Sequence, residues 1–441
     1  MGLSDVPLAK AQILSPRGPM LRRFLLGWLE FFTALRYSDF RLFWIGLMGQ
    51  VTGQQMTIVT LGWLAFHLTG SPLALGIINL LSAAPRIVTG LVGGVFADRF
   101  NPRNLIVVAQ TTSVAILATL ATLTVMDQAA IWHLATAAFL LGLVQSFDEP
   151  SRASLFPRLL PNRSLIPLAV PLISVAWSST RIIAPSIAGF VIAGFGAGIS
   201  FFIAATGAAL MVAMMRLLHV AELPARRSGT MFSNLKEAAT YVWGHAEFRP
   251  LVVLAFANST FGLGYMLTLP VFQDVLGVEA RGLGLMYSIL GIGSMVGLFL
   301  YSRTYRRMPA GRMLLVSMVA FAAGLIAFGV SQWFFTSLAL LLFIGIVSVI
   351  QITTSQVILQ TLVADELRGR VMALQGLHWG LLPVGGFIMN GAAEFVGAPS
   401  AVAGAGVMLL LVTIWVGLTS TALRRLNIAP AHQQEATPQK T

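Results

Sequence analysis

Long apolar runs separated by short polar segments dominate this chain. Each run is close to the roughly 20 residues that an α-helix needs to cross a bilayer. Because no water reaches the hydrocarbon layer, a chain crosses it as helices that satisfy their own backbone hydrogen bonds. The pattern predicts an all-α membrane protein with twelve transmembrane helices. The predicted spans are 42–67, 73–97, 105–125, 132–147, 165–195, 200–218, 251–272, 283–301, 313–330, 333–356, 371–395 and 401–423.

The runs fall into two sets of six on either side of a polar stretch at 219–249. Weak repeats match this division, since Ser38-Asp39-Phe40-Arg41 precedes the first run and Ala246-Glu247-Phe248-Arg249 precedes the seventh. Repeats in register with this count predict two pseudo-symmetric six-helix bundles. We expect a cytoplasmic N-terminal segment with an interfacial helix (1–41), the two bundles (42–218 and 250–424), a cytoplasmic linker with a short amphipathic helix (219–249) and a disordered cytoplasmic tail (425–441).

Composition and charge placement agree with this architecture. The chain is 56% hydrophobic and 10% charged, against roughly 25% charged residues in soluble domains. Its net charge of +12 does not indicate a nucleic-acid partner, because the cations lie in short loops between apolar runs. With both termini in the cytoplasm, 25 of the 28 Lys and Arg fall on the cytoplasmic side, Arg281 lies outside, and Arg86 and Arg181 lie within spans. This distribution supports both the number of spans and that orientation.

Several kinds of chemistry find no residues to carry them. The chain has no cysteine, so it forms neither disulfides nor thiolate metal sites. It has no P-loop and no His-Glu-x-x-His, and its six His are scattered. We therefore expect no enzyme activity, no metal and no cofactor. The glycine-rich stretch 291–297 lies inside the eighth run, where it suits close helix packing rather than dinucleotide binding.

The turn between the second and third runs, residues 93–104, carries the most informative motif. Gly94 lets a neighbouring helix approach closely, while Asp98, Arg99 and Arg103 place charge where the chain meets water. Asn101 tolerates a left-handed backbone, as glycine does. The stretch resembles the G-x-x-x-D-R-x-G-x-R loop of major facilitator superfamily transporters, with Asn101 in place of the second glycine. This resemblance implies that Asp98 locks the cytoplasmic side of the outward-facing state.

Other segments resemble one branch of that superfamily, the exporters related to the enterobactin exporter. These segments are 35–44, 147–162 and 365–372, and the resemblance extends over roughly residues 35–425. In the fifth span, residues 184–189 partly resemble the G-P-x-x-x-G element of antiporters, although alanine replaces the first glycine. Pro185 bends the helix and Gly189 permits close packing, which makes both candidates for a role in conformational change.

The resemblance implies a secondary active transporter of the bacterial inner membrane that works as a monomer, by alternating access in the lipid bilayer. It favours a proton-coupled exporter of a small amphipathic molecule, such as a siderophore, a drug or another metabolite. An anionic substrate would suit Arg86 and Arg181. A transporter of lysophospholipid or other lipid would use the same architecture. A membrane enzyme or a sensor is the remaining alternative, and we expect neither clustered catalytic groups nor an appended soluble domain.

Acidic residues are candidates for proton coupling, and none is predicted near the bilayer centre. Asp148 and Glu149 lie at the inner end of the fourth span, and Arg152 follows one helical turn after Asp148, where it can pair with it. Either carboxylate could serve coupling or gating. The alternative is a solvated helix end without a further role. Glu394 lies near the outer end of the eleventh span.

Polar side chains inside the spans are the candidates for a substrate cavity. A charge at the centre of a spanning helix costs about 2.5–3.5 kcal/mol on insertion scales, so Arg86 and Arg181 should face the interior or a partner. They either attract an anionic substrate or form structural pairs. Gln54, Asn258 and His378 either contact substrate or bridge helices. His378 could also carry a proton, since imidazole titrates near neutral pH.

The predicted topology can be tested with reporter tags. An alkaline phosphatase fusion within the turn that carries Arg103 should be inactive, because that enzyme folds only outside the cytoplasm. The same fusion beside Arg281 should be active, because this cation lies on the opposite face. Activity at the Arg103 turn would contradict the predicted orientation.

Overall fold

The computed structural model describes residues 32–162, 165–218, 248–305, 308–362 and 380–426. Every regular element in these ranges is helical. Nine helices within them are long and apolar enough to cross a membrane. The predicted linker helix, the tail after residue 426 and nearly all of the predicted interfacial helix lie outside these ranges. The domain boundaries therefore stay predictions.

The described part of the first half contains six long helices. They follow a 3-10 turn at Phe32–Arg36, and a second 3-10 turn at Phe156–Leu159 follows the fourth of them. Each helix coincides with one of the first six predicted spans. The helices are α1 (Ser38–Thr69), α2 (Pro72–Arg99), α3 (Pro102–Val125), α4 (Ile131–Leu155), α5 (Ile166–Phe195) and α6 (Ala197–Arg216).

The second half begins with an interrupted helix. Here α7 (Phe248–Ala257) runs through a π turn (Asn258–Gly262) and a 3-10 turn (Leu263–Leu267) into α8 (Leu269–Val275). Together these elements occupy the predicted seventh span. The remaining helices are α9 (Ala280–Thr304), α10 (Ala310–Val330), α11 (Phe334–Leu362), α12 (Leu382–Val396), α13 (Ala398–Thr419) and the short α14 (Thr421–Arg425).

Three helices at predicted spans are not among the nine apolar ones, namely α1, α2 and α12. The glutamines Gln50, Gln54 and Gln55 make α1 more polar, and α12 has only 15 residues in the described part of the chain. The all-helical architecture is confirmed, while the count of twelve crossings stays a prediction.

Two short turns fix the ends of α2. Gly70, between α1 and α2, has φ 65°, a left-handed conformation that glycine adopts without steric cost. Asn101, between α2 and α3, has φ −63° and ψ 117°. The expectation of a left-handed backbone there is therefore wrong. Instead, the Asn101 side chain accepts a hydrogen bond of 3.0 Å from the Arg103 amide and caps α3, with Pro102 in the first turn.

The fourth helix is longer than predicted. The span was expected to end at residue 147, yet α4 continues eight residues further to Leu155. The charges of Asp148 and Glu149 had placed these residues at the inner end of the predicted span. The charges are instead satisfied by partners within the protein, and the helix passes through Pro150. Asp148, Glu149 and Arg152 are therefore all helical.

Helices pair in the same way in both halves. In the first half α1 packs on α5, α2 on α4 and α3 on α6. In the second half the interrupted helix packs on α12, α9 on α11 and α10 on α13. If each half is numbered one to six, both show the pairs one–five, two–four and three–six. This shared arrangement agrees with the repeat seen in the sequence.

Glycines stand where helix backbones come closest. A Cβ on Gly53 would lie 2.6 Å from the Ala204 carbonyl oxygen, and one on Gly49 would lie 3.2 Å from the Gly207 carbonyl oxygen, so α1 and α6 need these glycines. In the second half, Gly293 faces Leu342 of α11 in the same manner. The prediction that glycine stretch 291–297 serves helix packing is thus confirmed.

Filling one of these crossings should destabilise the protein. We expect Gly207→Val to lower the unfolding free energy by roughly 1–3 kcal/mol, because its side chain would collide with Gly49. Gly404→Val is the matched control, since a Cβ at Gly404 meets nothing within 4 Å. Thermal unfolding of both purified variants in detergent measures the difference, and equal melting temperatures would contradict the packing role.

Candidate functional site

The two halves of the chain meet near the face that carries the α1–α2 turn, called here the α1–α2 face. The opposite face, which carries the α2–α3 turn, is called the α2–α3 face. At the former, α5 crosses α9 so closely that a Cβ on Gly189 would lie 2.6 Å from the Gly284 nitrogen. Next to this crossing, α2 packs on α12, where a Cβ on Gly76 would lie 3.0 Å from the Asn390 Cβ. Both crossings lie within two turns of the helix ends.

Hydrogen bonds reinforce the contact between the halves at this face. The Trp63 indole of α1 donates to the Gln273 side-chain oxygen of α8 at 2.9 Å, and its ring stacks on His67. Glu394 of α12 accepts bonds from the Ser71 hydroxyl at 2.7 Å and from the Leu73 amide at 3.0 Å. These bonds join α1 and α2 of the first half to α8 and α12 of the second.

A buried polar cluster lies inside the first half, nearer the α2–α3 face. Asp148 of α4 is fully buried, and its Oδ2 accepts bonds from Arg152 Nε at 2.7 Å and from Gln50 Nε2 at 2.6 Å. The Arg152 guanidinium also lies over the Trp177 ring of α5, 5.6 Å from its centroid. The cluster therefore ties α1, α4 and α5 together around one carboxylate.

The predicted Asp148–Arg152 pair is present, but its surroundings differ from those expected. A solvated helix end was the alternative, and the structure shows both side chains buried instead. Asp148 Oδ1, Arg152 Nη2 and Gln50 Oε1 have no hydrogen-bond partner among the described residues. Gln50 was only one of several polar residues noted in the first span. Its bond to Asp148 could not be foreseen, because 98 residues separate the two.

A second ion pair lies beside this cluster and is open to the surroundings. Arg86 Nη2 of α2 is 2.9 Å from Glu149 Oε2 of α4, and the side chains are 42% and 56% exposed. Arg86 lies 14 residues from the start of α2, or about 21 Å along it at 1.5 Å per residue. The central cation predicted from sequence thus has a carboxylate partner. Because lipid exposure of such a pair is costly, we expect it to face water.

The other polar candidates lie in different environments. The Arg181 side chain is exposed near the middle of α5, four residues before buried Pro185. Asn258 is 2% exposed at the start of the π turn, where a Cβ on Gly262 would collide with its amide oxygen. Gln54 is half-buried in α1. In this conformation, Asn258 offers no open surface to a substrate.

The motif at the α2–α3 turn divides into two parts. Gly94, Asp98 and Arg99 belong to the last turns of α2, while their side chains, like all of His378, lie outside the described part. Arg103 is described fully, and its guanidinium donates to the carbonyl oxygens of Met215 at 2.7 Å and Arg216 at 2.8 Å. A cation on the last carbonyls of α6 satisfies the helix end and suits its dipole.

The chain was compared with known proteins. The model of the transmembrane secretion effector family, a branch of the major facilitator superfamily, matches residues 30–439. The chain belongs to this family. Over 382 residues it is 24% identical to the staphyloferrin A transporter of Staphylococcus aureus, covering 86% of this chain and 93% of the relative. Over 407 residues it is 22% identical to an enterobactin exporter of Escherichia coli, with coverages of 88% and 90%.

The fold of this family member is also similar to solved transporters. A bacterial homologue of the human lysosomal transporter Spinster, in an inward-facing and unoccupied conformation, superimposes with a TM-score of 0.69 at 14% identity. The match covers 90% of this chain and 99% of that one. The expected major facilitator fold is confirmed. The chain is thus a multi-pass membrane transporter and not an enzyme.

Breaking the buried ion pair should be more harmful than removing both charges. We expect Arg152→Leu to lower the unfolding free energy by about 3–5 kcal/mol, because it leaves the Asp148 carboxylate buried without its cation. Adding Asp148→Asn to this variant should recover part of the loss. Arg281→Leu, at an exposed position, is the control for loss of an arginine. Thermal unfolding of the four purified proteins measures the effects, and a double variant less stable than Arg152→Leu would contradict the explanation.

Proposed function

We propose that this protein is a secondary active exporter that moves a small amphipathic molecule by alternating access, as a monomer. The observation that carries the proposal is that two similarly built halves meet at the α1–α2 face, through the Gly189–Gly284 and Gly76–Asn390 crossings and the hydrogen bonds of Trp63 and Glu394. Halves joined in this way can rock about a site between them, closing one face while the other opens. The names of the two similar transporters, for staphyloferrin A and enterobactin, support a siderophore as substrate.

The orientation follows from the distribution of cations. Apart from the buried Arg152 and the central Arg86 and Arg181, most described arginines lie at the α2–α3 face. We therefore assign this face to the cytoplasm. The described conformation is then inward-facing, with its periplasmic side closed by the α1–α2 face contacts. The described arginines at the assigned cytoplasmic side are Arg36, Arg41, Arg103, Arg158, Arg216, Arg249, Arg303, Arg312 and Arg424.

The half-exposed Arg86–Glu149 pair supports an anionic or zwitterionic substrate. A charged pair at membrane depth is stable when it faces a water-filled cavity, and that cavity is where a substrate would bind. A substrate carboxylate can replace Glu149 as the partner of Arg86. Arg181 at similar depth adds a further positive charge. Gln54, Asn258 and His378 complete the proposed cavity, with Asn258 becoming accessible only after a rearrangement.

Protons are the proposed coupling ion, and Asp148 is the proposed carrier. Its carboxylate is fully buried and uses one oxygen for both Arg152 and Gln50. The other oxygen is free to take a proton, which would weaken the pairing with Arg152. Such a change in a cluster that joins α1, α4 and α5 would alter the packing of the first half. Asp98, Arg99, Gly94, Pro185 and Gly189 are the proposed gating residues.

Efflux from cells tests this function. In a bacterial strain without its own siderophore and drug exporters, we expect the protein to lower the cellular content of an anionic siderophore. A protonophore should abolish this effect if protons drive export. Asp98→Asn should reach the membrane in normal amount but fail to export, because it lacks the charge required for the proposed gate.

The same assay separates the alternatives. The panel contains anionic siderophores, amphipathic drugs and fluorescent lysophospholipids. Export restricted to lysophospholipids would favour the lipid transporter, and export that persists with the protonophore would contradict proton coupling. No change in any compound relative to cells without the protein would contradict an exporter of these classes.

A further inference from the structure

We propose that Glu394 holds the periplasmic gate closed by capping a helix of the opposite half. This inference rests on the proposed alternating access. It assigns to one side chain of α12 the task of stabilising the inward-facing state. The residue is a gating residue, not a substrate ligand, and it lies at the opposite end of the molecule from the Asp98 motif.

The geometry of the cap is specific. Oε2 of Glu394 accepts hydrogen bonds from the Ser71 hydroxyl at 2.7 Å and from the Leu73 amide at 3.0 Å. The Ser71 oxygen in turn accepts a bond of 3.2 Å from the Ala74 amide. The first amides of a helix have no partner within the helix, and its N-terminus carries a partial positive charge. A carboxylate satisfies both conditions, so Glu394 completes the N-terminus of α2.

This cap can exist only while the halves are together. Ser71 and Leu73 belong to the first half, and Glu394 belongs to the second. When the α1–α2 face opens, these hydrogen bonds break, and the Ser71 hydroxyl, the Leu73 amide and the Glu394 carboxylate must each bond to water instead. The close approach of Gly76 to Asn390 on the same two helices keeps the capping groups in register. The N-terminus of α2 is therefore capped by Glu394 only when the gate is closed.

The charge on Glu394 is essential to this role. Among the described residues, the first turns of α2 and all of α13 contain no ionisable group, and residues 258–267 contain one, the buried Tyr265. His67, at the end of α1, is a titratable residue at the same face, and its ring stacks on Trp63. Protonation of Glu394 from the periplasm would weaken its acceptance of both bonds. External acid should therefore favour the open gate.

Distance measurements on the purified full-length protein test the proposal. The chain has no cysteine, so Leu68→Cys and Ser400→Cys provide two exposed sites for spin labels, one on each half. Double electron–electron resonance on the labelled protein in nanodiscs then measures the distance between the two spin labels. A short distance reports the closed gate and a long distance reports the open gate. Loss of a helix cap costs about 1 kcal/mol, equivalent to about a fivefold change in the ratio of the two populations.

We expect Glu394→Gln to raise the open-to-closed ratio about fivefold at neutral pH. It should also abolish the rise in this ratio that the parent protein shows as the pH falls below about 4.3, the ordinary value at which a glutamate binds its proton. Ser71→Ala should shift the ratio in the same direction by less, because the carboxylate still accepts from Leu73. Glu279→Gln removes the same charge from an exposed position at the same face, and it should behave as the parent protein does.

Two results would overturn the inference in different ways. If Glu394→Gln and the parent protein show the same fraction of the long distance and the same response to pH, the capping role alone is contradicted. A single unchanged distance in every variant at every pH would contradict alternating access itself. Neither result depends on knowing the substrate, since no transport is measured.

Discussion

Polar groups at membrane depth must find their partners within the protein, and this requirement explains most of the structure. The backbone meets it by forming helices. Hydroxyls meet it by bonding to the carbonyl one turn earlier, as Thr57 does with Gly53 and Thr60 with Met56. Charged groups meet it in pairs, with Asp148 bound to Arg152 and Arg86 bound to Glu149. Where a charge has a partner, a helix need not end.

The contacts between helices follow a related rule. Because lipid tails are as apolar as the side chains, no hydrophobic effect drives helices together within the bilayer. Helices there associate through close packing and through hydrogen bonds. Glycine provides the packing within each half and at the α5–α9 crossing between them. The bonds of Trp63 and Glu394 act only between the halves. In the proposed alternating access, the packing within each half would stay intact, while the bonds at the α1–α2 face would be made and broken.

Much of this architecture could be predicted from the sequence. Apolar runs located the helices because burial in lipid leaves a long and uniform signal. The Asp148–Arg152 pair was predictable because its members are one helical turn apart. The length of α4 was not, since three charged residues and a proline resemble a helix end unless their distant partners are known. The same holds for Gln50 with Asp148 and for Ser71 with Glu394, which are separated by 98 and 323 residues.

The residues of the motif at the α2–α3 turn have different roles, which the spacing of the motif does not reveal. Arg103 is hydrogen-bonded to the last carbonyls of α6, which holds the beginning of α3 to the end of α6. Any displacement of the Asp98 segment must then be absorbed upstream of Pro102, within the few residues around Asn101. The Arg103 end of the motif is accordingly anchored to α6. In the proposed gating, this anchor would be the fixed point relative to which the Asp98 end is displaced.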